Sequence, residues 1–490
     1  MQSGDNAIMN GYNCGAVECK IVIIGNILHS TASQLSQSIH CKPPISSKVI
    51  HIQSLRDYFN PLLIIHPETY RNKKMKILYV CKSLPHSFQG GIQTHVWKLS
   101  EYMLQLGHEV TILTAGSWLK GEKRCEMNGR HIIQIPYLPM RRQPIMPFFL
   151  EELSFNAAVN RWISKNVHSK GTHQEGHFDL IHLQGRSGFT FPQKNSAIPI
   201  ITTFHGLVAI ENEKSYKSGV QKYLHEQWAS HFEKNALKNS DAIIAVSEEM
   251  KAEIREVLPE MGSKITILPN GVDIQKPKPP TPPSVLETKP NTLLFVGRLD
   301  RIKGIFKLIE ALKNVRSDIQ LVLIGDGNER QNLEKAIFTE GVSARVNLLG
   351  NLPNETVMAW INQCDALILP SFHETQGIVL LEANTCGKPV IASNINGIKE
   401  VVTHGYNGFL CNPYNPEHIA ESINRLFSDA DLMKKIGENG RQRVIEKYDW
   451  AIIAQKTEKL YKQVIQNFDP AKNVQPIENH RFVLAKPLNA

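Results

Sequence analysis

Twice along this chain, short apolar β-rich segments alternate with amphipathic helical ones, and a proline-rich spacer separates the two runs. The first run starts near Lys76, with KILYVC, EVTILTA, HIIQI, DLIHLQ, PIITTF, DAIIAV and ITILP as its strands. Stretches such as IQTHVWKLSEYMLQLG lie between several of them. Apolar strands joined by helices predict a parallel sheet covered on both faces. At 276–290 the chain reads KPKPPTPPSVLETKP, too stiff and too poor in backbone donors for the interior of an element. The alternation then restarts with TLLFVGR, IQLVLIGDG, RVNLLG, DALILP, KPVIAS and GFLC. The expected fold class is α/β: two doubly wound parallel-sheet domains in tandem with a cleft between them. Ligands of open α/β sheets bind outside the carboxyl ends of the strands, and here two such edges can face each other.

The 490 residues exceed what one ordinary core organises, and 42% hydrophobic with 21% charged residues is a globular composition. No stretch approaches the roughly 20 apolar residues of a membrane span, and the N-terminus lacks the layout of a secretion signal. Eight cysteines at 14, 19, 41, 81, 125, 364, 386 and 411 form no CxxC pair, which suits scattered thiols in a reducing cytoplasm and neither a disulfide framework nor a zinc site. The net charge of +9 fits a protein that meets phosphates or an anionic membrane surface, although scattered lysines would give the same total. No Lys/Arg block is interleaved with aromatics, so nucleic acid is not indicated as a partner.

The proposed division is 1–74, an extension; 75–272, a first α/β domain; 273–291, a linker; 292–446, a second α/β domain; 447–467, a helix; and 468–490, a tail. The extension stands outside the alternation and reads either as a mis-called leader, with Met75 the true start, or as a poorly ordered appendage.

Four constellations carry candidate chemistry. Gly297-Arg298-Leu299-Asp300-Arg301-Ile302-Lys303-Gly304 follows the strand TLLFV and precedes a helix. It sets two cations, Arg298 and Lys303, beside free backbone N–H groups, an edge suited to a pyrophosphate; a solvated basic turn would look the same. Glu374-Thr375-Gln376-Gly377-Ile378-Val379-Leu380-Leu381-Glu382 follows DALILP. If wholly helical, this segment would hold its carboxylates about 12 Å apart on roughly one side. Each carboxylate can accept from vicinal hydroxyls, and Gly377 lets a diphosphate approach the backbone at the helix start. The apolar IVLL between the two Glu residues argues against a merely solvated face. Gly90-Gly91-Ile92-Gln93-Thr94-His95 opens the first helix of the chain's first run and reads as an anion-tolerant turn or an ordinary βα turn. His205, in Thr202-Thr203-Phe204-His205-Gly206, ends a strand on the edge where ligands dock, though a lone His is more often structural. Asp429-Ala430-Asp431 is literally a DxD, but its place between two helices makes a helix cap the better reading. Gly325-Asp326-Gly327 lacks the third glycine of a dinucleotide fingerprint, and no G-x-S-x-G elbow occurs.

Together GGIQTHV, TFHG, DAIIAVSEEMK, LPNGVD, FVGRLDRIKG, LVLIGDG and SFHETQGIVLLEANTCGKPVIASNINGIKEVV resemble the family-4 retaining glycosyltransferases of GT-B fold, over roughly residues 75–467. The resemblance implies that Arg298 and Lys303 neutralise a donor diphosphate, that Glu374 holds the donor sugar's hydroxyls and that Glu382 holds the ribose. It implies also that Gly90, Gly91 and the Gly377–Ile378 backbone approach the diphosphate, that His205 lies beside the sugar, and that KYDWAIIAQKTEKLYKQVI crosses back onto the first domain. No metal and no cofactor are implied, the nucleotide-diphosphate sugar being a substrate. The chain departs from the family at Thr375-Gln376-Gly377, where Gly-Phe-Gly is usual, and at Asn396-Gly397, where two glycines are frequent. The implied activity is retaining hexosyl transfer to a saccharide or lipid-linked acceptor, in cell-envelope polysaccharide, lipopolysaccharide or glycolipid synthesis, in the cytoplasm or at the inner face of the membrane. Met140-Arg141-Arg142-Gln143-Pro144-Ile145-Met146-Pro147-Phe148-Phe149-Leu150 reads either as a membrane-surface segment or as a loop entering a buried helix. The rival functions are a non-hydrolysing sugar-nucleotide epimerase, a silent nucleotide-sugar-binding scaffold and, more distantly, a nicotinamide dehydrogenase.

Overall fold

The computed structural model of the chain describes residues 74–85, 90–139, 147–167, 177–187, 197–207, 220–274 and 290–470. The extension before Lys74, residues 275–289 of the spacer, the segment from Met140 to Met146 and the tail after Pro470 lie outside the described residues.

The apolar segments of the first run form β1 (Lys76–Val80), β2 (Glu109–Gly116), β4 (Arg130–Pro136), β5 (Leu180–Gln184), β6 (Ile200–Phe204), β7 (Ala242–Ala245) and β8 (Ile265–Ile267). They pair in parallel in the order β4-β2-β1-β5-β6-β7-β8. Every residue of β5, β6 and β7 is buried, as expected of strands covered on both faces. An eighth strand, β3 (Lys123–Met127), adds antiparallel to β4 at the edge. Its KRCEM sequence is too polar to read as a core strand. Asn128 and Gly129, both at positive φ (51° and 77°), make the tight turn that joins it to β4.

The second run gives β9 (Thr292–Val296), β10 (Gln320–Ile324), β11 (Val346–Gly350), β12 (Ala366–Leu369), β13 (Val390–Ser393) and β14 (Gly408–Cys411), all parallel in the order β11-β10-β9-β12-β13-β14. In each sheet the winding reverses beside its first strand, at β1/β5 and at β9/β12, and a crevice opens at the carboxyl ends of such strand pairs.

The backbone leaves the first sheet through Asn270–Val272 and returns through Tyr448–Trp450. The two passages pair, with Val272 N–H donating to Tyr448 O (2.8 Å) and Trp450 N–H to Val272 O (3.3 Å). From Trp450 a helix runs to Asn467. Its Trp450, Ile453, Ala454, Leu460 and Tyr461 are buried in one core with Ile77, Tyr79 and Ile112 of the first sheet.

Asp429 caps the helix Ala430–Lys447 by accepting from Leu432 N–H (2.9 Å), which accounts for the DxD. The described cysteines are free thiols, and all of them except Cys125 are buried. Among the described residues no helix is long and apolar enough to cross a membrane.

Candidate functional site

The site grows from the carboxyl ends of β9 and β12. After β9 the chain passes Arg298 and makes a short turn, Arg301–Lys303, before the helix Ile305–Ala311. That turn lies hard against the end of β12, because Phe372 N–H donates to Ile302 O at 2.8 Å. Lys303 thereby reaches the loop after β12, and its Nζ stands 2.6 Å from Glu374 Oε2, with both side chains under one-fifth exposed (18% and 17%). The two motifs read separately in the sequence thus meet in one ion pair. Arg298 projects from the same edge but is 70% exposed and faces Asp300 at 3.3 Å, so the two cations do not bear on a common carboxylate.

The segment from Glu374 to Glu382 is not one helix. Glu374 lies in an irregular loop, Gly377 adopts a left-handed conformation (φ 76°), and the helix runs only from Ile378 to Thr385. The conditional 12 Å spacing therefore does not apply. Gly377 is the cause of the break, since a side chain there would be strained and would press on Leu380 and Leu369. Glu374 consequently sits ahead of the helix N-terminus and Glu382 in its second turn. No described residue donates a hydrogen bond to the Glu382 carboxyl, and loss of hydration pushes its pKa up to about 7.

The opposing wall comes from the first sheet. Gly91 begins the helix that follows β1, and a methyl group at its Cα would lie 3.3 Å from Ile378 Cδ1. Gly90 has an extended backbone that any residue adopts, and its carbonyl accepts from Thr94 N–H (3.0 Å). His205 follows β6, and its carbonyl accepts from Thr375 Oγ1 at 2.6 Å. Lys303, Glu374, Gly377, Ile378, Gly91 and His205 are therefore linked through direct contacts or sequence neighbours. Glu382 stands one helical turn further along, and Arg298 lies ahead of Lys303 on the same strand edge.

Three residues to which the sequence assigned no role in the site complete this wall. Gln376, 2% exposed, accepts at Oε1 from both Asn270 N–H (2.9 Å) and Asn270 Nδ2 (2.6 Å), and donates from Nε2 to Asn270 O (3.3 Å). It spans the cleft to the passage between the sheets and spends its polar atoms there. Asn270 Oδ1 in turn accepts from His95 Nδ1 at 2.9 Å. Burial drives the His95 pKa down to about 4, so the ring is neutral near pH 7. His95 meets His205 edge-on, with centroids 4.7 Å apart. Loss of hydration, followed by the neighbouring His95 and His182, holds the His205 pKa well below the usual range. A signal was present: His95 lies one turn beyond Gly91 on the same helix face, and Asn270 stands within LPNGVD. Gln376→Leu is expected to leave the buried Asn270 amide unpaired and to cost about 1–3 kcal/mol of stability, read as a lowered urea midpoint.

Among the described residues no group of three or more His, Cys, Asp or Glu is placed to hold a metal ion. The model of the family Glycosyltransferase Family 4 matches residues 89–276, and that of Glycosyl transferases group 1 matches residues 281–443. An uncharacterised glycosyltransferase of Methanocaldococcus jannaschii is 31% identical over 401 residues, covering 80% of this chain and 99% of that protein. Among solved structures, sucrose-phosphate synthase from Thermosynechococcus elongatus superposes with a TM-score of 0.68 at 23% identity, over 81% of this chain and all (100%) of that one. HepE from Anabaena, solved in complex with UDP-glucose, superposes with a TM-score of 0.59 at 21% identity, over 79% of this chain and 100% of that one.

Proposed function

The chain belongs to the group 1 glycosyl transferases, glycosyltransferase family 4, of GT-B fold, and from that premise we propose that it moves a hexosyl group from a nucleoside-diphosphate sugar to an acceptor with retention of configuration. The observation that carries the reading is the Lys303–Glu374 pair at the mouth of the cleft, ahead of the helix Ile378–Thr385 and opposite Gly91 and His205. A cation and a carboxylate held 2.6 Å apart match the two ends of one bond to be broken: phosphate oxygens on one side and sugar hydroxyls on the other. The neighbour solved with UDP-glucose supports this class of donor.

In this reading Lys303 exchanges Glu374 for the donor diphosphate, and Glu374 accepts from the sugar hydroxyls. The N-terminus of the helix Ile378–Thr385 adds its backbone N–H groups to the charge stabilisation, with Gly91 allowing close approach and Arg298 closing from solvent. The bond from the anomeric carbon to the diphosphate oxygen breaks as the bond to the acceptor oxygen forms on the same face. The acceptor's proton passes to the leaving diphosphate. Glu382 accepts from the ribose diol. The acceptor is a saccharide or a lipid-linked glycan precursor bound against the first sheet, and the product belongs to envelope polysaccharide, lipopolysaccharide or glycolipid synthesis.

A panel of nucleotide-sugars tested for thermal stabilisation checks the proposal, because a ligand bound by the native state alone raises its melting temperature. One sugar nucleotide should stabilise the protein and then lose its sugar to an acceptor with the anomeric configuration preserved. Stabilisation accompanied only by a free epimer, or by no turnover with any acceptor, would refute transfer.

Glu382 gives the donor affinity a pH dependence of defined sign. A carboxylate that accepts from hydroxyls is favoured by the bound donor, whereas the free site holds its pKa at about 7. Donor affinity should therefore be lower on the acid side, rise as pH increases through about 7, and level off above it. A sugar-nucleotide diphosphate does not titrate in this range, so calorimetry should record proton release on binding at and just below a pH of about 7. Glu382→Gln should abolish that release; its persistence would assign the proton elsewhere.

A further inference from the structure

Behind His205 a row of buried polar side chains crosses the core of the first sheet and ends on the terminal helix. His205 Nε2 lies 3.0 Å from Gln184 Oε1. Gln184 Nε2 lies 3.3 Å from His182 Nε2, which also meets Thr203 Oγ1 at 2.7 Å. His182 Nδ1 lies 2.5 Å from the Tyr461 hydroxyl, and that hydroxyl 3.1 Å from the Tyr79 hydroxyl. His182, Thr203, Tyr79 and Tyr461 are 0% exposed and Gln184 is 4% exposed.

The sheet places this row. Gln184 follows His182 by two residues on β5 and so shares its face. Tyr79 on β1 stands beside His182, and Thr203 on β6 beside Gln184, in parallel register. The terminal helix covers that face and inserts Tyr461. Apart from the buried Arg130, whose charge acts on Tyr79, the row is packed mainly among apolar side chains, so its members rely on one another for the hydrogen bonds they lose from water.

One arrangement of protons lets every member of the row pair. The Gln184 amide oxygen accepts from His205 Nε2–H, and its NH2 donates to His182 Nε2. In it Thr203 Oγ1–H also donates to His182 Nε2, His182 Nδ1–H donates to the Tyr461 oxygen, and the Tyr461 hydroxyl donates to Tyr79. In that arrangement His205 carries its proton at Nε2, and its ring also meets the Asn270 side chain. Burial keeps these groups neutral, holding His182 and His205 below the usual imidazole range and the Tyr461 phenol well above its own.

We propose that Tyr461 is a positioning residue for glycosyl transfer: acting through His182 and Gln184, it holds His205 in one ring orientation and in the Nε2–H tautomer beside Asn270. The inference rests on the reading of His205 as a donor-side residue. It makes the cleft histidine depend on a hydroxyl of a helix that begins beyond the second sheet, and so couples the docking of that helix to the competence of the site.

Tyr461→Phe removes only the hydroxyl oxygen and tests the idea. Transfer kcat should fall about tenfold to a hundredfold with the donor KM nearly unchanged, as for a misplaced reacting group. In a His205→Ala background the same substitution should change kcat no further. Nitrogen NMR of histidine-labelled protein should show the His205 ring leave a fixed Nε2–H pattern for one averaged between tautomers. A Tyr461→Phe protein that melts lower but keeps wild-type kcat and wild-type His205 nitrogen signals overturns the proposal and leaves the row as a fastener. Wild-type transfer by His205→Ala would instead defeat the donor-side reading, while the nitrogen spectra would still show whether Tyr461 governs the His205 tautomer. If Tyr461→Phe does not fold, Gln184→Met, which leaves both tyrosines in place, takes its place with the same readouts and the same meanings.

Discussion

Lys303→Ala lowers the rate of glycosyl transfer by about 10²–10³-fold, the loss associated with removing one preorganised group from a developing oxyanion. The expectation follows from where the ammonium sits. It is under one-fifth exposed and is held 2.6 Å from Glu374 by a turn locked to the end of β12, so little reorganisation accompanies its exchange of one anion for another. Glu374→Gln should cost a comparable factor for a different reason: an amide offers one accepting oxygen in place of two and carries no charge for the hydroxyls to favour. The pair's partial exposure keeps the structural cost low. Either variant should melt within about 4 °C of the wild type, since about 1 kcal/mol moves a domain of this size by a few degrees. Initial rates with a saturating donor, read beside a melting curve, separate the two effects. Near-wild-type turnover by either variant removes the pair from the reaction.

Gly397→Ala carries the second large effect, and by displacement. Gly397 is the second residue of the short helix Asn396–Lys399 after β13, and a Cβ there would press into Glu374 O and lie 2.7 Å from Thr375 O. Both are backbone atoms, so the loop that carries Glu374 and touches His205 must move. A shift on the order of 1 Å at a reacting group can cost about 10²-fold in rate, and overpacking of this kind typically costs about 1–3 kcal/mol in stability. Gly405→Ala is the control. Its φ of 75° strains any side chain, yet a Cβ there meets nothing within 4 Å. It should therefore destabilise the protein with no change in kcat/KM. Equal kinetic losses in the two variants would attribute the Gly397 effect to stability alone.

The sheets were legible because their strands are uninterrupted apolar runs between turn residues. DALILP and DAIIAV, for instance, read as buried strands without any knowledge of their neighbours. The antiparallel strand β3 was missed because KRCEM looks like surface; only Asn128-Gly129, a strong hairpin signal, marks it. At the site, Lys303 and Glu374 could each be named from a local motif, but their contact spans 71 positions and no local pattern encodes it. The Gln376–Asn270 strut spans 106 positions and the His182–Tyr461 contact 279, beyond any periodicity. Gln376 itself was visible as a departure from the family, but its side chain faces Asn270 at the passage between the sheets. The helix start at Gly377 stood in the sequence beside the alternative of one continuous helix. Glycine before an apolar run fits a helix start as well as a helix interior, and only the positive φ decides.

The paired passages at Val272 and Tyr448 have a consequence for synthesis. Severing the chain within the spacer would not release two complete halves, because Trp450, Ile453, Leu460 and Tyr461 belong to the core built on Ile77 and Tyr79. A ribosome that adds roughly 5–20 residues per second finishes the strands of the first sheet on the order of ten seconds before it supplies the helix that closes them. Over that interval the nascent polypeptide carries an open apolar groove, where a chaperone would be expected to dwell.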